Sequence, residues 1–279
     1  TVLDENHYKG FSCLPETLAS SLTIVEECFL QTPSGVLLIP CDNDHWSDRV
    51  RYFRVHTGST WRDLVTPHID KIYDSQKFIS HDKFMLYAMK GRTLFIVHEF
   101  DTYQMTFLII GYGGTGKSTI MQVMQSLWPI HLCGILSSNI EPKFGMSQVI
   151  KKGKTRAIFC NEVSKDLQLV QEEWQTSCSG EQGSYAVKHQ DPWVGLCKAQ
   201  HFWVGNGWPS SWKNENNQVS RRICGVVMPN PIQPRVGDIM TEIQRTIGTF
   251  LRRISLAYFD MVDQFGSTDP MSQIDRLSP

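Results

Sequence analysis

Residues 111–119 are the part of this chain best suited to bind phosphate. Their sequence, GYGGTGKST, fits the pattern G-x-x-x-x-G-K-S/T. Glycines let backbone N–H groups fold around phosphate oxygens, and the N-terminus of a following helix adds partial positive charge. The pattern predicts a nucleoside triphosphate site in which Lys117 reaches the β- and γ-phosphates and Ser118 binds Mg²⁺. We expect the nucleotide to contact Gly111, Gly113, Gly114, Thr115, Gly116, Lys117, Ser118 and Thr119.

Two apolar runs further along the chain end in polar residues, Glu162 and Asn206. A nucleoside triphosphatase needs a carboxylate that orients or deprotonates the attacking water, and a polar group that senses the γ-phosphate. Parallel strands bring their carboxyl ends to one edge of a sheet. We therefore expect Glu162 in the first role and Asn206 in the second. The alternative is that both residues only end their strands.

Arg221 and Arg222 directly precede a third apolar run, residues 223–228. Adjacent arginines are most often solvated surface charge. In ring-shaped ATPases, however, an arginine from the neighbouring subunit completes the site and stabilises transition-state charge. Both interpretations stay open at this stage.

Residues 179–192 have the pattern of a β-hairpin, two short arms around polar and glycine residues, with Lys188 and His189 displayed on it. Such a hairpin could hold nucleic-acid phosphates in the channel of a ring, or be an ordinary surface hairpin. Residues 143–165 contain six basic residues and one acid, Glu162. This local basic patch could bind a polyanion or only keep a loop soluble.

These candidate residues need a framework of strands and helices. The apolar run at 105–110 predicts a strand buried on both faces, and 118–127 predicts the helix that follows the glycines. Further strands are predicted at 36–39, 94–97, 132–139, 156–162, 201–206 and 223–228, with a loop at 141–147. Helices are predicted at 15–31, 67–92 and 238–265. Strands alternating with helices predict an α/β fold.

Composition excludes a membrane protein, because no apolar run approaches the roughly 20 residues that cross a bilayer. A hydrophobic content of 41% and a charged content of 20% are ordinary for a globular chain, and the net charge of −1 offers no global attraction for nucleic acid. Eight cysteines without a C-x-x-C pair indicate reduced thiols of an intracellular protein. The missing initial methionine and the end at Pro279 suggest a fragment of a longer chain.

Together these motifs resemble those of the superfamily 3 helicases, the AAA+ replication helicases of DNA viruses. The likeness is greatest to the helicase half of poxvirus-like and giant-virus primase-helicases. It is carried by GRTLF at 91–95, EFDTYQ at 99–104, the glycine-rich segment, SNIEPKFG at 138–145 and FCNEV at 159–163. It covers roughly residues 66–231, and what precedes these is only loosely matched.

The resemblance implies a P-loop AAA+ type parallel sheet core flanked by helices, with an N-terminal mainly helical region. Residues 1–92 would be a collar or linker, 93–235 the helicase core, and 236–279 a C-terminal helix and tail. The residues that match family motifs by position are Asn161 and Glu162 (Walker B, joining Ser118 around Mg²⁺), Lys188 and His189 (DNA-contacting hairpin), Asn206 (sensor) and Arg222 (arginine finger). Two positions depart from the pattern: Asn161 replaces a metal-linked acid, and Gly205 stands where Ser or Thr is commoner.

The function implied is an ATP-dependent, ring-forming helicase motor of viral DNA replication that uses ATP and Mg²⁺ and moves on single-stranded or forked DNA. A homo-hexamer, 3′→5′ movement, a primase domain elsewhere in a longer chain and an intracellular site in the host cell are implied with it. Two other classes stay open. One is a monomeric P-loop kinase, and the other is a non-hydrolysing nucleotide-dependent scaffold in which Glu162 is dispensable.

Overall fold

The computed structural model of this chain describes residues 29–32, 35–38, 60–128, 130–137, 140–207, 209–232 and 239–266. The strands of this part are β1 (Phe29–Thr32), β2 (Gly35–Leu38), β3 (Thr106–Gly111), β4 (Cys133–Leu136), β5 (Ala157–Val163), β6 (Gln182–Tyr185), β7 (Trp193–Leu196), β8 (Gln200–Gly205) and β9 (Ile223–Met228). Its α-helices are α1 (Pro67–Ser75), α2 (Ser80–Arg92), α3 (Lys117–Ser126), α4 (Gly145–Ile150), α5 (Gln171–Cys178), α6 (Ile239–Arg245) and α7 (Ile247–Phe265).

Five strands form one parallel sheet in the order β4-β5-β8-β3-β9. Successive residues of β3 face opposite sides of the sheet. Phe107 and Ile109 therefore enter one hydrophobic cluster, and Leu108 enters the other. Both faces of the sheet are covered, which is why these strands are apolar runs without alternation. The predicted α/β fold, a parallel sheet flanked by helices around a P-loop, is confirmed.

The two faces of the sheet carry different helices. The first cluster contains apolar residues of α1, α2, α3 and α7, and the second contains residues of α4 and α5 together with Trp203 and Trp212. Helix α2 packs along α7, so parts of all three predicted regions meet on the first face. The proposed boundaries at 92 and 235 stay predictions.

Two ion pairs, one partly buried and one fully buried, hold the first layer together. Arg253 on α7 donates through Nη1 to Asp70 Oδ2 on α1, at 2.7 Å. Arg92 at the end of α2 binds Asp101 through two bonds, Nε to Oδ2 at 2.7 Å and Nη2 to Oδ1 at 2.9 Å. Tyr258 of α7 donates to the same Asp101 Oδ2 at 2.6 Å. Although burial acts to raise it, the Arg92 guanidinium holds the pKa of Asp101 below its usual value.

Several predicted helix boundaries were wrong. The helix predicted at 67–92 is two helices, α1 and α2, interrupted at Lys77, whose φ of +60° cannot continue a right-handed helix. The helix predicted at 238–265 is also divided, with Thr246 between α6 and α7. The predicted end at Gly266 is confirmed, and its backbone, with a φ of +57° and a ψ of −126°, lies in a region that is essentially restricted to glycine.

Three other segments differ from the prediction. Residues 94–97 form turns and are not paired in a sheet. Leu94 and Phe95, which suggested a strand, are buried against the first layer. The predicted loop at 141–147 contains a short 3₁₀-helix and the start of α4. Residues 29–31 belong to the hairpin β1-β2 and not to a helix, and the rest of that predicted helix lies outside the described residues.

Five of the eight cysteines, Cys133, Cys160, Cys178, Cys197 and Cys224, lie in the described part of the chain, where they are buried and form no disulfide. The other three lie outside the described residues, and the reduced, intracellular state stays a prediction. Among the described helices, none is both long and apolar enough to cross a lipid bilayer.

Candidate nucleotide-binding site

The glycine-rich segment lies between the end of β3 and the start of α3, at the carboxyl edge of the sheet. Gly114 and Gly116 have φ values of +79° and +94°, which residues with a Cβ rarely adopt. Thr115 is buried, and its Oγ1 donates to Tyr112 O at 3.0 Å. Ile232 N donates to Gly114 O at 2.9 Å, so the segment after β9 braces the loop. The loop is a curved backbone at a helix N-terminus, the geometry that binds phosphate.

The topology of the sheet points to the same place. Helix α3 carries the chain from β3 past β8 and β5 to the edge strand β4, whereas the last strand, β9, lies on the other side of β3. In open parallel sheets, ligands bind outside the carboxyl ends of the strands where the strand order reverses. That point in this sheet is the glycine-rich loop.

A pocket of about 370 Å³ lies at this loop. Residues 112–119 form one side of it, and its apolar wall consists of Ile72 from α1, Ile232 and Ile239 from α6. The wall was not predicted, because its members lie about 40 residues before and 120 residues after the loop in sequence. It is suited to an apolar ring next to the phosphate-binding backbone.

A larger cavity, about 670 Å³, is lined by Trp61, His81, Phe84 and Asp263, among others. It lies beside α2 and the end of α7 and has neither a glycine-rich loop nor the carboxyl end of a sheet strand. Volume alone therefore does not identify the site, whereas the phosphate-binding backbone does.

Glu162 and Asn206 lie on the strands next to the loop. Asn206 N donates to Val163 O of β5 at 3.0 Å. The residue before it, Gly205 at the end of β8, pairs with Ile110 of β3. The strand order makes β8 the neighbour of β3, and β5 the next strand. With neighbouring strands about 4.8 Å apart, the ends of β5 and β3 are about 10 Å apart. The side chains of Glu162 and Asn206 are both exposed at this edge.

Gly205, one of the two departures from the family pattern, has a local cause. The register of β5 against β8 shifts between Cys160 and Val163. The shift brings the Val163 backbone so close that a Cβ at position 205 would collide with its carbonyl oxygen. Glycine is required there by packing, and Asn206 still follows the strand.

Lys117 folds back on its own loop in this structure. Its Nζ donates to Gly111 O and, at 2.7 Å, to Tyr112 O. Burial lowers the pKa of Lys117, and the opposing influence of Glu162 identifies that carboxylate as an electrostatic neighbour. Lys117 and Glu162, the two side chains predicted to act on a triphosphate, therefore lie at the same edge of the sheet.

The predicted Mg²⁺ ligands are only partly brought together. Ser118 is exposed at the pocket, and hydroxyl and carboxylate oxygens such as those of Ser118 and Glu162 are donors that fit Mg²⁺. Asn161 Oδ1 instead accepts from Gln125 Nε2 at 2.7 Å. Gln125 lies about 10 Å beyond Ser118 along α3, at 1.5 Å per residue. The role of Asn161 as a metal ligand stays a prediction.

Lys188 and His189 lie far from the loop. They are exposed between β6 and β7, which pair antiparallel as a hairpin. A hairpin was predicted here, but its second arm, β7, lies beyond the predicted range of 179–192. β8 begins at Gln200, opposite Ala157 at the start of β5, so the hairpin leaves the sheet at its amino edge. A six-residue strand spans about 20 Å, which separates the hairpin from the carboxyl edge that carries the pocket.

Arg221 and Arg222 are also at the amino edge, because Ile223 pairs with Thr106 at the start of β3. Neither can reach the phosphate loop of its own protomer, about 17 Å away along β3. Arg221 is exposed, whereas Arg222 is buried. Arg222 donates through Nε to Ser179 Oγ at 3.2 Å and through Nη1 to Gln218 O at 3.0 Å.

No protein-family model matches the chain, and no curated protein matches it. Among solved structures, the A form of the apo NrS-1 C-terminal region is 13% identical over 67% of this chain and 44% of that chain, with a TM-score of 0.48. A second apo structure of that region is 12% identical over 67% and 45%, with a TM-score of 0.45. JCV helicase bound to a thiazolopyridine acetamide is 11% identical over 82% and 68%, with a TM-score of 0.32. The chain spans less than half of those two NrS-1 chains.

Proposed function

We propose that this chain is the ATP-driven motor of a ring-forming DNA helicase that acts in viral DNA replication. One arrangement carries the proposal: a phosphate-binding loop at the reversal point of a parallel sheet, with Glu162 at the same sheet edge and within electrostatic range of Lys117, and Asn206 directly after the strand between them. Phosphate binding alone would not need the carboxylate, whereas hydrolysis does.

The phosphates lie against the loop backbone, and Lys117 exchanges its bonds to Gly111 O and Tyr112 O for the β- and γ-phosphates. Glu162 orients or deprotonates the water that attacks the γ-phosphate, and Asn206 contacts the γ-phosphate from β8. Ser118 and Glu162 would hold Mg²⁺, which would neutralise charge on the phosphates. The apolar wall around Ile72 and Ile232 receives the base of ATP.

Residues at the opposite edge of the sheet favour ring formation and contact with DNA. Lys188 and His189 are offered to single-stranded or forked DNA on the hairpin, at the edge away from ATP. Arg221 and Arg222 face away from their own loop, which suits an arginine that serves the ATP of the neighbouring subunit. Arg222 must release Ser179 to do so, whereas Arg221 is already exposed. A homo-hexamer would bring the two edges of adjacent protomers together.

The first test is ATP turnover with and without single-stranded DNA. Glu162→Gln should bind ATP almost normally and hydrolyse it at least about 10²-fold more slowly, because it removes the carboxylate and keeps the phosphate loop. Asp166→Asn, an exposed carboxylate in the loop after β5, is the matched control and should hydrolyse normally. Near-normal turnover by Glu162→Gln would remove Glu162 from the mechanism.

Light scattering with ATP and DNA separates the other classes. A ring motor should assemble and show DNA-stimulated turnover and strand displacement on a fork. A monomer that ignores DNA and phosphorylates a small acceptor would identify a kinase. An assembly that forms with ATP yet is unaffected by Glu162→Gln in every assay would identify a scaffold.

A further inference from the structure

The turn between α4 and β5 has an unusual backbone. Lys151, Lys152 and Gly153 have successive φ values of +51°, +55° and +80°. The left-handed region is unfavourable for residues with a Cβ, and glycine or asparagine usually occupies it. Two lysines there are strained, and strain retained in a native structure often marks a functional side chain.

The two lysines differ in what their side chains do. Lys151 Nζ donates to Cys133 O at 2.7 Å and to His131 O at 3.3 Å, which ties the turn to the start of β4. Lys152 Nζ donates to Gln190 Oε1 at 3.1 Å, on the loop of the β6-β7 hairpin. An amide oxygen holds the ammonium group in place without neutralising it. Lys151 therefore holds the turn against β4, whereas Lys152 presents its ammonium group beside the exposed hairpin loop.

The turn and the hairpin loop form one surface. Gly153 lies against the Trp193 ring, where a Cβ would come within 3.3 Å of a ring atom. Ser147 of α4 donates to Ala186 O at 2.6 Å. His189 on the hairpin loop has a φ of +58°, so three of the seven described non-glycine residues with positive φ are found here. Backbone strain is therefore concentrated around the side chains predicted to contact DNA.

The charge of this surface is mainly positive. Its exposed basic residues are Lys143, Lys151, Lys152, Lys154 and Lys188, and its exposed acids are Glu141 and Asp191. Lys188 Nζ is 3.5 Å from Glu141 Oε2, and the two side chains are 58% and 48% exposed. Such a long, exposed ion pair is weak, so a phosphate oxygen can replace the carboxylate.

We propose that Lys152 binds the backbone phosphates of single-stranded nucleic acid together with Lys188. The turn supplies one cation and the hairpin the other, on either side of Gln190. The proposal rests on the proposed function, since it adds a contact to the same hairpin surface. It also gives a role to part of the basic patch at 143–165.

The test uses variants of the full chain, Mg²⁺ and a non-hydrolysable ATP analogue. Binding of fluorescein-labelled oligo(dT) is followed by anisotropy from about 50 to 300 mM salt. Lys152→Gly removes the side chain and relieves the strain of the left-handed backbone. The stability gained in this way is offset by the greater conformational entropy of glycine in the unfolded chain. Its melting temperature should stay close to that of the wild type. Lys151→Gly makes the same backbone change and removes the same charge, and is the matched control for DNA binding; its melting temperature should fall, because it also loses the bonds to Cys133 O and His131 O.

Lys152→Gly should lower the salt-dependence slope by about 0.7, the loss of one single-strand phosphate contact, and weaken binding about fivefold at 0.1 M salt. Lys151→Gly should leave the slope unchanged. The proposal is overturned if Lys152→Gly binds oligo(dT) like the wild type, or if Lys151→Gly loses as much affinity and slope as Lys152→Gly. In either case the proposed function would still stand if Lys188→Ala binds oligo(dT) more weakly and the wild type keeps its DNA-stimulated ATPase. A wild-type protein that binds no oligo(dT) would overturn both.

Discussion

Two glycines of the phosphate loop should fail in different ways when replaced by alanine. Gly116 has a φ of +94°, and a Cβ there would lie 2.9 Å from Ile72 Cγ2 and 3.0 Å from Ile232 Cδ1. Gly113 has no heavy atom within 4 Å of its Cβ position and lines the pocket. Gly116→Ala should therefore damage the fold, whereas Gly113→Ala should damage nucleotide binding alone.

The magnitudes follow from those two environments. At position 116 the left-handed backbone costs alanine about 1–2 kcal/mol. Crowding adds about 1 kcal/mol, the low end for overpacking, because the ends of both isoleucines can shift. The sum, about 2–3 kcal/mol, lowers the melting temperature by roughly 4–12 °C at about 2–4 °C per kcal/mol. Gly113→Ala should leave stability equal or higher by up to about 1 kcal/mol, because it restricts the unfolded chain.

Thermal unfolding and titration with a fluorescent ATP analogue measure the two effects separately. Gly113→Ala should weaken nucleotide binding roughly tenfold or more, about 1.4 kcal/mol, by placing a methyl group where phosphate binds. Equal destabilisation by the two variants would refute the loop geometry. Unchanged nucleotide affinity in Gly113→Ala would refute the idea that phosphate lies against this backbone.

Three further outcomes are expected. Lys188→Ala should weaken single-strand binding regardless of sequence and reduce the salt slope by about 0.7, and unchanged binding would make the hairpin an ordinary surface element. Arg222→Ala should abolish DNA-stimulated ATPase, because an arginine finger raises the hydrolysis rate by about 10³-fold or more. A mixture of this variant with Lys117→Ala should recover some activity in mixed rings, and a mixture that stays inactive although mixed rings form would exclude action in trans. Asp101→Asn should cost about 3–5 kcal/mol at neutral pH by leaving Arg92 buried without its partner. Because the folded pKa of Asp101 is lowered, this stability is present above the unfolded value of about 3.9 and lost as pH falls through the folded pKa, so urea titrations of the two proteins should converge in acid.

The parts of the site that the sequence predicted are those encoded locally. The loop glycines, the strand that contains Glu162 and the strand that ends before Asn206 depend on short motifs and apolar runs, and the structure contains both strands. The hairpin was predicted for the same reason, since its turn residues and arms are contiguous.

The parts that were missed depend on contacts between distant segments. The wall formed by Ile72 and Ile232 exists only because α1 and the segment after β9 both reach the loop. The bond between Asn161 and Gln125 depends on how α3 lies over β5, and the burial of Arg222 depends on Ser179 at the foot of the hairpin. Helix breaks at Lys77 and Thr246 were missed because apolar periodicity continues across them.

The packing of α2 against α7 has a consequence for how the chain is synthesised. About 155 residues separate the end of α2 from the start of α7, yet each helix covers the other's apolar face. At about 5–20 residues per second, a ribosome needs roughly 8–30 s to make that interval. During this time Tyr87 of α2, whose ring lies 6.4 Å from that of Phe250 in the complete fold, has no α7 to pack against. We therefore expect nascent chains that stop before α7 to bind chaperones and to be protease-sensitive at α2, and completion of α7 to end both.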